Sequence, residues 1–168
     1  MPRRCYGLGI QALKIFHELR PDVEIILYGS NMLESSQIPF PATVKKLMPT
    51  LKDLADLYRN ADLGVVFSTT NPSLVPYEMM ACGCPVVDLD LEYALEKYGG
   101  DLGNVFLCSP QPDAMAQQLA DLIGQPELLH DCVQRAAKWV SREFPTELEM
   151  ARRVESLILR DIISGENE

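Results

Sequence analysis

The run STTNPSLVPYEMMACGCPVV, residues 68–87, gathers most of the groups in this chain whose types could do chemistry. Thr70, Asn71 and Ser73 are small and polar, able both to donate and to accept hydrogen bonds. Pro76 suits the first helical position, where its missing N–H costs nothing. That spacing predicts a helix with Val75 as its cap and Glu78 as its third residue. Free backbone N–H groups at such a terminus form a phosphate site, and a ligand of the diphosphate kind would fit there. Glu78 is the one carboxylate in an otherwise apolar run, and two readings of it stay open. An acid in a first turn is favoured by the helix dipole, and a third-position Glu can answer a Ser or Thr cap. Val75 has no side-chain oxygen, so that box is incomplete. Alternatively the carboxylate accepts two hydrogen bonds from a vicinal diol, as acids do with ribose in dinucleotide folds.

Other candidates lie elsewhere. Arg3 and Arg4 precede the first helix and are either phosphate-neutralising groups or a solvated terminus. Gly29–Ser30 ends a strand, where glycine serves a plain turn or lets a ligand approach the backbone. His17 and His130 have no nucleophile or metal partner nearby in sequence and read as surface residues. Asp88 and Asp90 flank a strand end and read as caps. Trp139 reads as packing the C-terminal helices. Cys82 and Cys84 fall short of metal-site spacing, and no P-loop, GxGxxG or HExxH occurs. The five cysteines read as reduced thiols, most of them buried.

These residues need elements to hold them. Ile10, Leu13, Phe16 and Leu19 recur at helical spacing ahead of Pro21. VEIILYGS reads as a buried strand, with a short strand following near Thr43–Met48. TLKDLADLYRNA places Leu54, Leu57, Tyr58 and Ala61 on one helical side. DLGVVFS, CPVVDLD and NVFLCSP read as further strands. LEYALEKYG is a short helix closed by Gly99 and Gly100. PDAMAQQLADLIG puts Met115, Leu119 and Leu122 on one face. Two more helical segments, roughly 126–143 and 146–163, precede a frayed tail. Helix and strand alternate, which predicts an α/β fold with an open, doubly wound parallel sheet. Ligands bind such sheets at the carboxyl ends of the strands, here the loops after Gly29, Phe67 and Asp90. The chain enters at a loop and a helix, without the strand that should come first. The expectation is a single domain over residues 1–168 that lacks its first strand and a preceding domain.

The 168 residues carry a net charge of −9, which disfavours nucleic acid and anionic membranes as partners. No apolar run is long enough to span a bilayer, and the start lacks a signal core. The expected location is cytoplasmic, peripheral to the inner face of the membrane for the longer protein.

PSLVPYEMMACGCPVV resembles the signature of retaining GT-B glycosyltransferases of the large group 1 (GT4-like) family, in which a glutamate precedes a small-residue helix and Gly-x-Pro-Val-Val. LKDLADLYRNADLGVVFS resembles the helix and strand before that motif. RPDVEIILYGS resembles the family's second strand and glycine turn. PRRCYGLGIQALKIF is similar to its first loop and helix, especially in a rhamnosyltransferase branch.

The resemblance implies the C-terminal, Rossmann-like donor-binding half of a GT-B enzyme. Glu78 would hold the donor ribose, and backbone around Ser73, Leu74 and Val75 would face the diphosphate. Arg3 would neutralise it during catalysis. Asn71, Gly29 and Ser30 complete the implied donor site. The family's other glutamate, which contacts the transferred sugar, falls on Thr70. Lys14 lies too far along its helix to complete the usual basic pair. The implied donor is a dTDP-, UDP- or GDP-linked sugar, with rhamnose one candidate for transfer. A glycan or lipid-linked acceptor would be held by the absent N-terminal domain, so the chain alone should catalyse little. No metal or cofactor is expected. The competing readings are a non-catalytic nucleotide-binding or partner-docking module and a sugar-nucleotide epimerase, whose acid and base residues are not found.

Overall fold

A computed structural model describes residues 5–31, 33–67, 69, 73–92, 94–145, 148–152 and 154–156. Helices α1 (Tyr6–Leu19), α2 (Leu51–Arg59), α3 (Val75–Ala81), α4 (Ala94–Lys97), α5 (Pro112–Ile123) and α6 (Pro126–Glu143) alternate with strands for most of the chain. The strands are β1 (Ile26–Leu27), β2 (Thr43–Val44), β3 (Gly64–Val65), β4 (Val86–Leu89) and β5 (Phe106–Cys108). All pairings are parallel: β1 with β2, and β3–β4–β5 in that order. The expected α/β architecture with parallel sheets is therefore present. Residues 148–152 and 154–156 are helical, in keeping with a second C-terminal helical segment.

Side-chain parity in the strands builds the core on two faces. Val87 and Leu89 of β4, with Cys108 of β5, point to the side covered by α1 and α5. There they meet Ala12, Leu13, Phe16, Met115, Ala116 and Leu119. Val86 points to the opposite side, covered by α3 and α6, where Tyr77, Met80, Tyr98, Ala136 and Trp139 gather. All four residues of β4 are buried, as both-face covering requires.

Local sequence explains the elements. The Thr50 hydroxyl caps α2 by accepting from Asp53 N–H at 3.1 Å. Pro112 and Pro126 open α5 and α6. Gly99 (φ 86°) and Gly100 (φ 73°) stop α4 in left-handed conformations. In α1 the buried face is Gly9, Ala12, Leu13 and Phe16. Leu19 is exposed, because the helix ends there. The expected strand near Thr43–Met48 is confined to Thr43–Val44. Trp139 joins α6 to α3 by packing on Tyr77, with ring centroids 6.1 Å apart, and it also meets Phe144. It thus packs the C-terminal helix α6 against α3.

Candidate functional site

Three elements converge on Glu78. Tyr28 follows β1, Tyr58 lies in the last turn of α2, and Glu78 stands in the first turn of α3. The Tyr58 hydroxyl lies 3.0 Å from the Tyr28 hydroxyl and 3.5 Å from Glu78 Oε2. The two rings meet edge to face, centroids 5.9 Å apart. Tyr58 is buried while Glu78 is exposed. Burial first, then the bond with Tyr28, pushes the Tyr58 hydroxyl well above its usual range. It therefore stays a neutral donor. Glu78 forms no ion pair among the described residues. Its carboxylate is held at one edge by a phenol and left open to a further donor at the other.

The start of α3 corrects the sequence reading by one residue. The cap is Leu74, not Val75, and it makes no side-chain cap bond. The Ser73 hydroxyl accepts from Val75 N–H at 3.3 Å, and Leu74 C=O accepts from Glu78 N–H at 3.0 Å. The serine hydroxyl thus turns the chain one residue earlier than Pro76 alone would. Glu78 becomes the fourth helical residue, beyond the third position that a capping box needs. Pro76 offers no N–H and that of Val75 is engaged, so this terminus has fewer open donors than the sequence promised. Leu74 is 66% exposed, which leaves its backbone at the surface.

Gly29 has φ 92°, and a Cβ there would meet nothing within 4 Å. Its conformation, not close approach by a protein group, requires glycine. Its N–H donates to Lys46 C=O at 3.4 Å. Ser30 follows it, half-buried. Glu78, Ser73, Leu74 and Val75 thus sit together at α3, and Gly29–Ser30 follow Tyr28, whose hydroxyl joins that group through Tyr58. Arg3, Arg4, Thr70 and Asn71 lie outside the described residues.

Other expectations shift. Asp88 is no cap: it is buried, accepting from Tyr98 O–H at 2.6 Å and from Leu89 N–H at 2.8 Å. Its parity in β4 turns it onto the α3–α6 face, where the Tyr98 phenol meets it. Asp90 is exposed, and its N–H completes the ladder to Cys108 C=O. His130 is at the surface, but His17 is half-buried against Phe40, with Nδ1 buried and unpartnered among the described residues. Cys84, Cys108 and Cys132 are buried free thiols, and Cys5 and Cys82 are half-buried. No group of metal-binding side chains occurs among the described residues. No helix there is long and apolar enough to cross a membrane.

Sequence reasoning missed Tyr28 and Tyr58 at the site. Tyr58 read as one more apolar contact of α2, although a buried phenol needs a hydrogen-bond partner.

The fold is that of the C-terminal, Rossmann-like half of GT-B glycosyltransferases. It matches the Anabaena Alr3699/HepE structure in complex with UDP-glucose at TM-score 0.72 and 21% identity, over 93% of this chain and 46% of that one. TarM of S. aureus, in complex with ligands including UDP, matches at TM-score 0.74 and 18% identity, over 92% of this chain and 33% of that one. Residues 1–120 match the family of the WsaF C-terminal domain, and the chain belongs to that family. The O-antigen biosynthesis protein RfbC of Myxococcus xanthus is 32% identical over 161 residues, which is 93% of this chain and 12% of that protein. The chain thus spans less than half the length of each of these relatives. They support a glycosyltransferase domain of glycan biosynthesis.

Proposed function

We propose that this domain binds the nucleoside-diphosphate sugar of a retaining glycosyltransferase of the GT4 kind. Glu78 carries the reading: an exposed carboxylate, unpaired by any described cation, displaced from the capping position and steadied by Tyr58. It would accept hydrogen bonds from the donor ribose. The turn at Ser73–Val75 and the Gly29–Ser30 corner would border the diphosphate, with Thr70 and Asn71 completing the loop. Arg3 would offset charge building on the departing diphosphate, as preorganised groups do in transition states. That HepE is seen in complex with UDP-glucose and TarM with UDP supports a nucleotide ligand. The nucleotide is UDP or GDP, whose ribose offers Glu78 both hydroxyls, or dTDP, whose deoxyribose offers the 3′-hydroxyl alone, and rhamnose is one candidate for the transferred sugar. A glycan or lipid-linked acceptor would be met by a further domain on the cytoplasmic side, so this chain alone would turn over little. The reaction as proposed uses no metal or other cofactor.

Titrating the chain with UDP, dTDP and GDP by calorimetry tests this. Saturable binding of one of them is expected, and none by a folded chain would remove the reading. Thr70, standing where the family has an acid, favours a second reading: a nucleotide-binding module that transfers no sugar. A longer polypeptide that binds the nucleotide sugar yet neither transfers nor hydrolyses it would select that alternative.

A further inference from the structure

The chain carries −9 overall, yet residues 35–52 hold three lysines and no acid. Lys45 to Lys52 form the corner beyond the carboxyl ends of β1 and β2, leading into α2. Lys45, Lys46 and Lys52 are exposed there, and so are Leu47 and Leu51. Leu51 is 85% exposed, more than any other large apolar residue described, and Leu47 is 61% exposed. Single exposed leucines are ordinary. Two at this exposure, four residues apart and bracketed by three lysines, form a patch.

The corner is built rather than slack. Leu47 N–H donates to Asn31 Oδ1 at 3.2 Å, and Gly29 N–H donates to Lys46 C=O at 3.4 Å. The Thr50 hydroxyl caps α2, and Val44 anchors the strand in the core. The backbone is thus held while both leucine side chains face water. The nearby carboxylates are engaged elsewhere. Asp53 accepts from Thr50 O–H at 2.7 Å, and Asp56 pairs with Lys52 at 3.2 Å and with Arg59 at 2.9 Å. Both acids are half-buried, whereas the three lysines are exposed.

We propose that this corner docks the domain on an anionic lipid surface. Charge selects that occupant. Lysines within a Debye length of a negative leaflet, about 8 Å, are attracted to it, while acids farther off are screened. The leucines enter the boundary between headgroups and acyl chains, and the lysine stems reach back to the phosphates. Two leucines fall well short of the area a stable protein interface buries, but insertion into lipid needs no complementary shape. Neither signal suffices alone, and together they give reversible binding. The acidic remainder of the chain is repelled, which turns this corner toward the lipid. The inference uses neither Glu78 nor a nucleotide and stands apart from the proposed function.

The test is co-sedimentation of the chain with phosphatidylcholine vesicles, plain or carrying about 30% phosphatidylglycerol. Binding to the anionic vesicles, absent on the plain ones and weakened by high salt, is the expected result. Lys45→Gln with Lys46→Gln should weaken it about twenty-five-fold, at about fivefold per lysine. Leu47→Ser with Leu51→Ser should weaken it about tenfold with every charge in place. All four side chains are exposed, so melting temperatures should hold. No binding by a folded chain, or binding untouched by either double variant, would overturn the inference. So would a loss with the lysine variant and none with the leucine variant, which marks a purely ionic contact. A leucine-dependent dimer in sedimentation, with no vesicle binding, would overturn it in favour of a protein contact.

Discussion

The Tyr58 hydroxyl lies 3.5 Å from Glu78 Oε2, linking the last turn of α2 to the first turn of α3. The contact is long, and Tyr28 backs it at 3.0 Å. Its effect is to orient an exposed carboxylate rather than to hold the fold together. Tyr58→Phe should therefore weaken nucleotide binding about three- to tenfold, the range of one ordinary hydrogen bond. Thermal stability should change little. Calorimetric titration beside a melting curve separates the two effects, and a large fall in stability with unchanged affinity would make the contact structural.

Asp88 and Tyr98 form the opposite case. Their 2.6 Å bond is buried and lies on the α3–α6 face. Tyr98→Phe strips a buried carboxylate of a partner, a loss of about 1–3 kcal/mol. For a domain of this size that is several degrees of melting temperature. Nucleotide affinity should hold. Urea unfolding of the variant gives the first quantity directly.

Gly9 marks where α1 crosses the end of β3. Alanine there gains about 1 kcal/mol of helix propensity. Its Cβ would sit 2.5 Å from Phe67 Cε2, so the ring must move. Overpacking of that kind costs roughly 1–3 kcal/mol. Gly9→Ala should be net destabilising, and the same change in a Phe67→Ala background should be neutral or stabilising. A double-mutant cycle by denaturant unfolding reads the sign.

Burial pushes the Cys84 thiol up to about 12 and the Cys108 and Cys132 thiols up to about 11. Their folded values exceed the unfolded ones. The stability they contribute is fully present below pH ~8.5, the unfolded thiol value, and is lost as pH rises through 11 to 12. Alkylation at pH 8 should modify Cys5 and Cys82 first and leave the other three until the chain unfolds. Mass spectrometry of a labelling time course checks the order.

The alternation of helix and strand was readable because each strand is short, apolar and bounded by turn residues. The Met115, Leu119 and Leu122 face was readable from period alone. What was not readable depended on partners distant in sequence. The strands around Ile26 and Gly64 read as full buried strands, yet among the described residues each is paired on one side only. The cap moved from Val75 to Leu74 because the Ser73 hydroxyl, which carries no periodicity signal, takes the Val75 N–H. Asp88 looked like a strand-end cap because nothing local announces that Tyr98 folds back onto it. At the site, Glu78 stood out as a lone acid in an apolar run, whereas Tyr58 was hidden inside a good amphipathic helix.

Glu78 and a ribose form the central pairing of the proposed site. The most direct test compares the nucleoside diphosphate that binds with its 2′,3′-dideoxy form, in the wild-type chain and in Glu78→Ala. Removing the hydroxyls should cost the wild type about ten- to a hundredfold in affinity and the variant almost nothing, since a hydrogen bond to a charged group contributes about 1.5–3 kcal/mol. An equal loss in both, or no loss in either, would contradict the assignment of Glu78 to the sugar of the nucleotide.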